Sequence, residues 1–304
     1  MALRDIKQRI KSVKSTKQIT NAMNLVASSK LQRIKGRVVS ARPFLHELRS
    51  IISSIVEQTE NLENIYIKGR PVEDSPDNLE NSYINYRPVE NSLVIVIAGD
   101  RGLCGAYNSN VLKEAESQIR ARENVKVALL GAKTLKFFSD KDCNIVKYVT
   151  GISDKPFYDD AASIGDLALE MFESGEIDEV LVVYTKFESM LSYQVMAERI
   201  LPVDITKFAP PEDAPRDYND IMEFEPDAAV ILEYLLPKYV KVFMFDAMLE
   251  SAACELAARA ASMDNATKNA DERIEEMSLA YNRARQSVIT KEIIEIVAGA
   301  NALN

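Results

Sequence analysis

The stretch SLVIVIAGDRGLCGAYNSN, residues 92–110, decides the fold of this chain. It joins an apolar run, of the kind that forms a buried strand, to a glycine-rich turn and then to a helix-like segment. The same order of strand, glycine-rich turn and helix is found in phosphate-binding loops. The stretch therefore predicts the start of an α/β domain, and it raises the question of whether the loop holds a nucleotide.

The segments that follow alternate between strand-like and helix-like patterns as far as residue 208. Strands are predicted for VKVALLG, CNIVKYVT and EVLVVYTKF, with helices between them and an edge strand in LSYQVMAERILPV. Alternation of this kind is typical of a mostly parallel sheet with helices on its faces. We therefore predict a Rossmann-like α/β domain over residues 92–208.

The glycine loop lacks the features that identify nucleotide sites. Gly99, Gly102 and Gly105 follow the spacing G-x-x-G-x-x-G rather than G-x-G-x-x-G, and the chain contains no Gly-Lys-Ser/Thr sequence. Glu123 stands near the distance at which a dinucleotide site places its ribose-binding acid, but it lies before the second strand. A structural or contact loop without a cofactor is the favoured interpretation, and a nucleotide site is the alternative. Cys104 is interpreted as a small packed side chain rather than a reactive thiol.

Catalytic and metal-binding patterns are missing from the sequence. The single histidine is His46, and the three cysteines, Cys104, Cys143 and Cys254, are widely spaced. This composition argues against an extended His/Cys metal cluster and a disulfide framework, and it does not favour a Ser-His-Asp triad. We therefore expect no catalytic or metal site of the chain's own.

Residues 1–58 follow a heptad pattern that predicts one long helix. A polar stretch from 17 to 24 interrupts the otherwise apolar seam. Pro43 lies within this helix and is predicted to kink it or to remove one hydrogen bond, because proline has no N–H. The predicted seam positions are Leu3, Ile6, Ile10, Val13, Lys17, Thr20, Asn24, Ala27, Leu31, Ile34, Val38, Ala41, Leu45, Leu48, Ile52 and Ile55.

A second long helix is predicted for residues 227–304, after a Pro/Asp-rich linker at 209–226. A break is predicted at Pro237, and every seventh position from Val242 to Ala284 is apolar. About 65 residues of helix span roughly 100 Å, whereas a globular domain of this length is about 40 Å across. Two long helices with apolar seams most simply pair as an antiparallel coiled coil.

The end of the second helix, VITKEIIEIVAGANALN (288–304), is apolar nearly all round. Side chains of this kind need a surface that buries them. A partner with an apolar socket fits the predicted reach of the helix. The alternative is a tail packed on the chain's own domain.

Basic residues are concentrated near the N-terminus. Residues 1–50 hold 12 Lys and Arg against two acids, a net charge of +10, while the whole chain carries −9, so the remainder carries −19. A basic arm on an acidic body favours an anionic partner for the arm. The alternative is a solvated helix face.

The loop at 59–91 contains an internal repeat. NLENIYIKGRPVEDS (61–75) and NLENSYINYRPVENS (78–92) agree at 11 of 15 positions. Two copies are too few for a solenoid, and long loops add little entropic cost. We interpret the repeat as a tandem duplication in a surface loop, without a function assigned to it.

Three motifs in order resemble the gamma subunit of the F-type ATP synthase over essentially the whole chain. They are IKQRIKSVKSTKQITNAMNLVASSKLQR in the first helix, DRGLCGAYN in the glycine loop and YNRARQSVITKEIIEIVAGANAL at the end. The last contains the family pattern I-T-x-E-x-x-[DE]-x-x-x-G-A. The resemblance implies an antiparallel coiled coil with an α/β foot, acting as a rotary shaft inside a ring of three alpha and three beta subunits.

The resemblance also implies the other partners and the location. The foot would sit with epsilon on the ring of c subunits of Fo, with delta in the same complex. Flow of H⁺ or Na⁺ would turn the shaft and drive ATP chemistry in the beta subunits. The chain would bind no cofactor and no nucleic acid, and it would meet the membrane only through Fo. Since neither a transit peptide nor the paired cysteines of chloroplast relatives is seen, we expect the cytoplasmic face of a bacterial cell membrane.

Matching family positions imply the residues that contact the alpha/beta ring. Polar residues near the tip would meet beta-subunit loops, the apolar tip would turn in a sleeve, and the basic arm and glycine loop would face acidic levers of beta. The implied contacts are Arg285, Gln286, Thr290, Glu292, Ile293, Ile296 and Val297 at the tip, Met23, Lys30 and Arg33 in the arm, and Arg101 and Cys104 in the loop.

Two alternative functions stay open. One is a nucleotide-dependent enzyme that uses the glycine loop, and the other is a coiled-coil adaptor or chaperone-like protein without rotation.

Overall fold

The computed structural model describes residues 3–59, 64–69, 88–152, 155–190, 192–208 and 227–302. Two compact units divide the chain: one holds the residues up to 29 and from 259 onward, and the other holds residues 30–258. In chain order the elements are α1 (Leu3–Gln58), α2 (Ile65–Lys68), β1 (Asn91–Ile97), α3 (Tyr107–Arg120), β2 (Asn124–Leu130), α4 (Ala132–Phe138), β3 (Asn144–Val149), α5 (Tyr158–Ser174), β4 (Glu179–Phe187), β5 (Tyr193–Leu201), a 3₁₀ helix (Ile205–Phe208) and α6 (Ala228–Ala302).

The division into segments 1–58, 59–91, 92–208, 209–226 and 227–304 stays a prediction. The two compact units cut through both long helices instead of following the helix ends. The linker at 209–226 lies outside the described residues, as does most of the duplicated loop.

Five strands form one sheet in the larger unit, in the order β3-β2-β1-β4-β5. The first four strands run parallel, and β5 pairs antiparallel with β4 at the edge. The register places Val94 of β1 opposite Val127 of β2 and Leu181 of β4. These findings confirm the predicted mostly parallel sheet, its Rossmann-like alternation and its edge strand.

The central strand β1 is buried on both faces. Leu93, Ile95 and Ile97 pack with residues of α5 and the early part of α6, whereas Val94 and Val96 pack with α3 and a later part of α6. Side chains alternate between the faces of a strand, so one apolar run supplies two cores. Burial of each such side chain stabilises the fold by about 1.5–3 kcal/mol.

In the smaller unit, α1 and α6 pair antiparallel. The hydroxyl oxygens of Thr20 and Thr267 lie 2.8 Å apart, and Lys17 Nζ lies 2.5 Å from Asp271 Oδ1. As the number rises along α1 it falls along α6, which gives the helices opposite directions. The seam positions from Leu3 to Asn24 are half-buried. The predicted antiparallel coiled coil is confirmed.

In the larger unit the remaining part of the α1 seam is more deeply buried. Ala41 is half-buried, and the other predicted positions there are 6% exposed or less. Pro43 sits inside an unbroken helix and removes one backbone donor from it. The buried positions are Leu31, Ile34, Val38, Leu45, Leu48, Ile52 and Ile55.

The predicted break at Pro237 is wrong, because α6 runs without interruption from Ala228 to Ala302. Proline leaves the carbonyl four residues earlier without its helical donor. That carbonyl belongs to Glu233, an exposed residue, so water can reach this side of the helix. Leu236 and Val240 are fully buried on either side of the proline, and their packing holds the helix together.

Candidate functional site

The C-terminal end of α6 exposes large apolar side chains. Every residue from Val288 to Val297 is exposed, and the exposed fractions of Ile293, Ile294 and Ile296 are 55%, 61% and 71%. Successive residues of a helix are about 100° apart, so these three side chains cover more than one face. The alternative of a tail packed on the chain itself does not hold for residues 288–297. A contiguous exposed apolar surface of this kind marks an interaction site. We call residues 288–297 the tip.

Polar residues lie beside and within the tip. Arg285, Gln286, Thr290 and Glu292 are all exposed, so their polar groups face outward. Lys291 and Glu295 form an ion pair of 3.7 Å one helical turn apart. The arrangement offers hydrogen-bonding groups next to apolar ones on one helix.

The polar interruption of the seam forms polar contacts across the two helices. The Thr20–Thr267 hydrogen bond replaces an apolar seam contact, and the Lys17–Asp271 ion pair borders it. Met23 is half-buried beside this polar layer. A polar layer within an apolar seam sets the register of a coiled coil.

Two basic residues of the arm belong to the larger unit. Lys30 is half-buried, while Arg33 is exposed. Arg33 is therefore presented on the outer face of α1, whereas Lys30 lies nearer the seam.

The glycine loop is held by its own side chains. The Gly99 N–H donates to Asn108 Oδ1 at 2.9 Å, and Asn108 Nδ2 donates to the Arg101 carbonyl at 3.1 Å. A Cβ on Gly99 would lie 2.6 Å from Glu255 Cδ. Asn108 and Glu255 thus fill the space next to this glycine, and the first backbone donor of the loop is already used.

Asp100 ties the glycine loop to the segments that follow β2 and β3. Its Oδ1 accepts from the backbone N–H groups of Ala132 and Gly151, both at 2.9 Å. Gly131, at φ +99°, lets the chain pass so close that a Cβ there would lie 2.1 Å from the Ala98 carbonyl oxygen. Asp100 therefore connects three loops at the carboxyl ends of β1, β2 and β3, which favours the structural interpretation of the loop.

The structure corrects the contact predicted for Cys104. Its side chain is 2% exposed, and Asn108 Nδ2 donates to Sγ at 3.1 Å. The thiol is packed, as the residue pattern alone favoured, so it does not face a partner. Arg101 is exposed, and its contact with a partner stays a prediction.

Leu103 is a loop residue that the sequence did not single out. It is 62% exposed and adopts a positive φ of 62°. A leucine rarely adopts this conformation, so the surrounding hydrogen bonds must hold it there. Leu103 is thus the exposed neighbour of the buried Cys104. The residue pattern did not predict this, because the backbone angle decides which of the two side chains projects into solvent.

The cysteine thiols are poor nucleophiles at neutral pH. Burial raises the pKa of the Cys254 thiol to about 12, and burial also raises the pKa of Cys143. A nucleophilic cysteine needs a lowered pKa. Neither residue therefore suggests covalent chemistry.

Among the described residues, no group of three or more His, Cys, Asp and Glu side chains is arranged to hold a metal ion. Within the same ranges, no helix is both long and apolar enough to cross a membrane.

Comparisons with known proteins show the family to which the chain belongs. The family model described as ATP synthase matches residues 2–303. A protein named ATP synthase gamma chain from Alkaliphilus metalliredigens is 35% identical, over 100% of this chain and 99% of the relative. This chain belongs to the ATP synthase gamma-chain family. A further family member, from Acetobacterium woodii, is named a sodium ion specific gamma chain and is 36% identical over 99% of each chain.

Solved structures share the fold of the family. A chain of the Euglena gracilis mitochondrial ATP synthase superposes with a TM-score of 0.62 at 18% identity, covering 99% of this chain and 94% of that one. A chain of the central stalk and c-ring of the Tetrahymena thermophila enzyme gives 0.57 at 21% identity, covering 82% and 99%. Two long helices and an α/β sheet thus persist at low sequence identity.

Proposed function

We propose that this gamma chain turns as the central shaft of an F-type ATP synthase and has no catalytic site of its own. The observation that carries the proposal is the exposed apolar tip, since such a surface is stable in water only when a partner covers it. The larger unit would serve as the foot, and the tip would reach into the catalytic ring. Nucleotide chemistry would then belong to the partner subunits.

The tip fits a sleeve made by three alpha and three beta subunits. Apolar contacts are non-directional, so the side chains of Ile293, Ile296 and Val297 hold no single rotational angle strongly. Arg285, Gln286, Thr290 and Glu292 would instead make hydrogen bonds that depend on angle. This combination suits a shaft that must both turn and transmit torque.

Basic residues and the glycine loop would meet acidic levers of the beta subunits. Arg33 and Arg101 are exposed, as such a contact requires, and Leu103 adds an apolar side chain beside Arg101. Exposed ion pairs contribute about 0–1 kcal/mol each. Contacts of this strength can guide a moving lever without stopping rotation. Met23 and Lys30, which are half-buried, would support the same surface.

The foot would bind the c-ring together with the epsilon and delta subunits. Ion flow through the c-ring would turn the foot, and the shaft would carry this rotation to the beta subunits. Named relatives include one that is sodium ion specific, so the coupling ion is H⁺ or Na⁺. We place the chain at the cytoplasmic face of a bacterial cell membrane, attached through Fo.

Substitution of the tip tests this proposal. Ile293, Ile296 and Val297 changed together to serine should weaken assembly with alpha and beta subunits or lower coupled ATP synthesis, because the partner loses its apolar contact. Val230→Ser is the matched control, since Val230 is also an exposed apolar residue of α6, at 51% exposure, but lies near its other end. Unchanged assembly and synthesis in the triple variant would contradict the proposal.

The two alternatives make different predictions for the unmodified chain. A nucleotide-dependent enzyme should bind ATP or ADP when isolated, whereas we expect no binding at millimolar nucleotide because Asn108 already accepts from the first backbone donor of the loop. A coiled-coil adaptor should purify without alpha and beta subunits. The shaft should purify with both in threefold excess over itself.

A further inference from the structure

A charged cleft in the larger unit contains a carboxylate with one buried oxygen that has no hydrogen-bond partner among the described residues. The cleft has a volume of about 580 Å³ and lies among α1, β4, β5, the 3₁₀ helix and α6. Asp246 projects from α6, and its Oδ1 is buried without a hydrogen-bond partner among the described residues. A buried carboxylate oxygen without a donor disfavours the charged form of the group.

The neighbouring carboxylate of α6 is fully engaged. Glu250, one helical turn after Asp246, accepts from the Phe187 backbone N–H at 2.7 Å and from Arg42 Nε at 2.8 Å. The Arg42 guanidinium also donates to the Phe187 carbonyl at 2.9 Å. Arg42 and Glu250 therefore fasten α1 to the end of β4, and they leave Asp246 beside a like charge.

The other acid of the cleft is also paired. Glu198 of β5 accepts from the Tyr184 hydroxyl at 3.1 Å and lies 3.7 Å from Arg49 of α1. The Arg49 guanidinium donates to the Tyr239 hydroxyl at 3.2 Å. Burial keeps both phenols neutral, since it raises the pKa of Tyr239 to about 12 and that of Tyr184 further.

The remaining ionisable side chains that line the cleft are Lys and His. Lys186 of β4, Lys207 of the 3₁₀ helix and His46 of α1 also line the cleft. Burial raises the pKa of Asp246 from its ordinary 3.8 to about 6, and Glu250 raises it too, against the opposing effect of Arg42, Arg49 and Lys186. The desolvation of the carboxylate thus outweighs the attraction of the nearby cations.

We propose that Asp246 is a proton switch that controls how α1 is fastened to the sheet of the larger unit. With Asp246 neutral, Arg42 holds Glu250 and the Phe187 carbonyl. When Asp246 loses its proton, it competes with Glu250 for Arg42 and with Glu198 for Arg49. Two carboxylates then share each guanidinium. The hydrogen bonds and ion pairs by which Arg42 and Arg49 attach α1 to β4 and β5 become weaker.

The pH dependence of stability follows from the higher pKa in the folded state. Below the unfolded value of 3.8 both states hold the proton, and the stabilising effect of the neutral form is fully present. Between 3.8 and about 6 the folded state alone keeps its proton, so stability falls as pH rises. Above about 6 the contribution is lost.

Carbon-13 labelling of aspartate carboxyl groups in the full chain tests the switch directly. One carboxyl signal should titrate with a midpoint near 6, while ordinary aspartates titrate near 4. Glu250→Gln should lower this midpoint, because it removes the like charge and frees Arg42. Titration of every aspartate below pH 5 would overturn the proposal. This measurement on the unmodified chain does not depend on the folding of a variant.

A matched pair of variants tests the structural consequence. In Asp246→Asn the fall in unfolding temperature between pH 5 and pH 7.5 should be smaller than in the unmodified chain. Asp166→Asn is the control, since Asp166 is a half-buried aspartate of the same unit whose carboxylate pairs with Lys241, and its pH profile should follow the unmodified chain. Equal pH dependence in Asp246→Asn and the unmodified chain would contradict the proposal. Rotation is not required for either experiment, so their outcome is independent of the proposed shaft function.

Discussion

Two runs rich in isoleucine and valine have opposite surroundings in this molecule. Residues 93–97, LVIVI, form the core of β1 and are 0% exposed. The tip also holds isoleucine and valine, with Thr, Lys and Glu among them, and Ile293, Ile294 and Ile296 are more than half exposed. The chain buries the first run by its own folding and leaves the second exposed. We therefore expect the first run to maintain the fold and, if the proposed function holds, the second to mediate assembly.

The largest expected effect comes from truncating the two runs in turn. Ile95→Ala should lower the free energy of unfolding by about 2–5 kcal/mol, because it opens a cavity in a packed core. Ile296→Ala should change it by no more than about 0.5 kcal/mol while it weakens assembly with the alpha and beta subunits. Chemical unfolding and subunit co-purification measure the two effects. Equal loss of stability in both variants would remove the distinction between the runs.

A smaller effect is expected where the chain leaves β2 and passes the end of β1. Gly131→Ala should destabilise the fold by more than about 1 kcal/mol, because alanine is strained at positive φ and its Cβ would clash with the Ala98 carbonyl. Gly36→Ala is the control, since nothing lies within 4 Å of its Cβ position and it sits in a helix, where alanine is favoured by about 0.5–1 kcal/mol. Thermal unfolding of both variants should move in opposite directions. A shift in the same direction would contradict the strain argument.

The Asp100 contact gives the next effect. Asp100→Ala should destabilise the larger unit by about 1–3 kcal/mol, because the Ala132 and Gly151 N–H groups lose their acceptor. Asp140→Ala serves as a control on an exposed aspartate at the end of α4, and its unfolding free energy should hardly change. If the Asp100 variant kept full stability, the internal carboxylate would not be what holds the loop.

The smallest effect is expected in the polar layer of the smaller unit. Lys17→Ala should cost no more than about 1 kcal/mol, because the Lys17–Asp271 pair is solvent-exposed. The loss should shrink further at high salt, where such charges are screened. Unfolding at low and high ionic strength checks this. A cost of several kcal/mol that persisted in salt would show that the layer contributes far more to stability than an exposed pair can.

Periodicity explains why much of the fold was predictable. The α1 seam from Leu3 to Ile55 and the strand–helix alternation after residue 92 follow repeats that any helix or parallel sheet must satisfy. Pro237 was misjudged because the packing of Leu236 and Val240 outweighs one missing hydrogen bond. Such compensation depends on residues brought together by the tertiary fold.

The features of the site that follow from residue composition could be predicted from the sequence. The features that depend on backbone angles could not. The exposed tip follows from an apolar helix end too long to fold back. The residue pattern favoured a packed Cys104, but the projection of Leu103 depends on a positive φ that no residue pattern specifies. Asp246 was not predicted from the sequence for a similar reason. Its Oδ1 has no hydrogen-bond partner among the described residues, while Arg42 of α1 pairs with Glu250 of α6, and this arrangement arises only when the two helices pack together.

Rotation of the foot against the alpha/beta ring is the most direct test of the central claim. A complex carrying Glu123→Cys, at an exposed position of the larger unit, and Cys143→Ser can be fixed through its alpha and beta subunits and labelled with a bead. During ATP hydrolysis we expect the bead to turn continuously in one direction, and the tip variant Ile293/Ile296/Val297→Ser to turn with less torque or to lose the complex. A bead that stays fixed while the same complex hydrolyses ATP would contradict the role of this chain as the shaft.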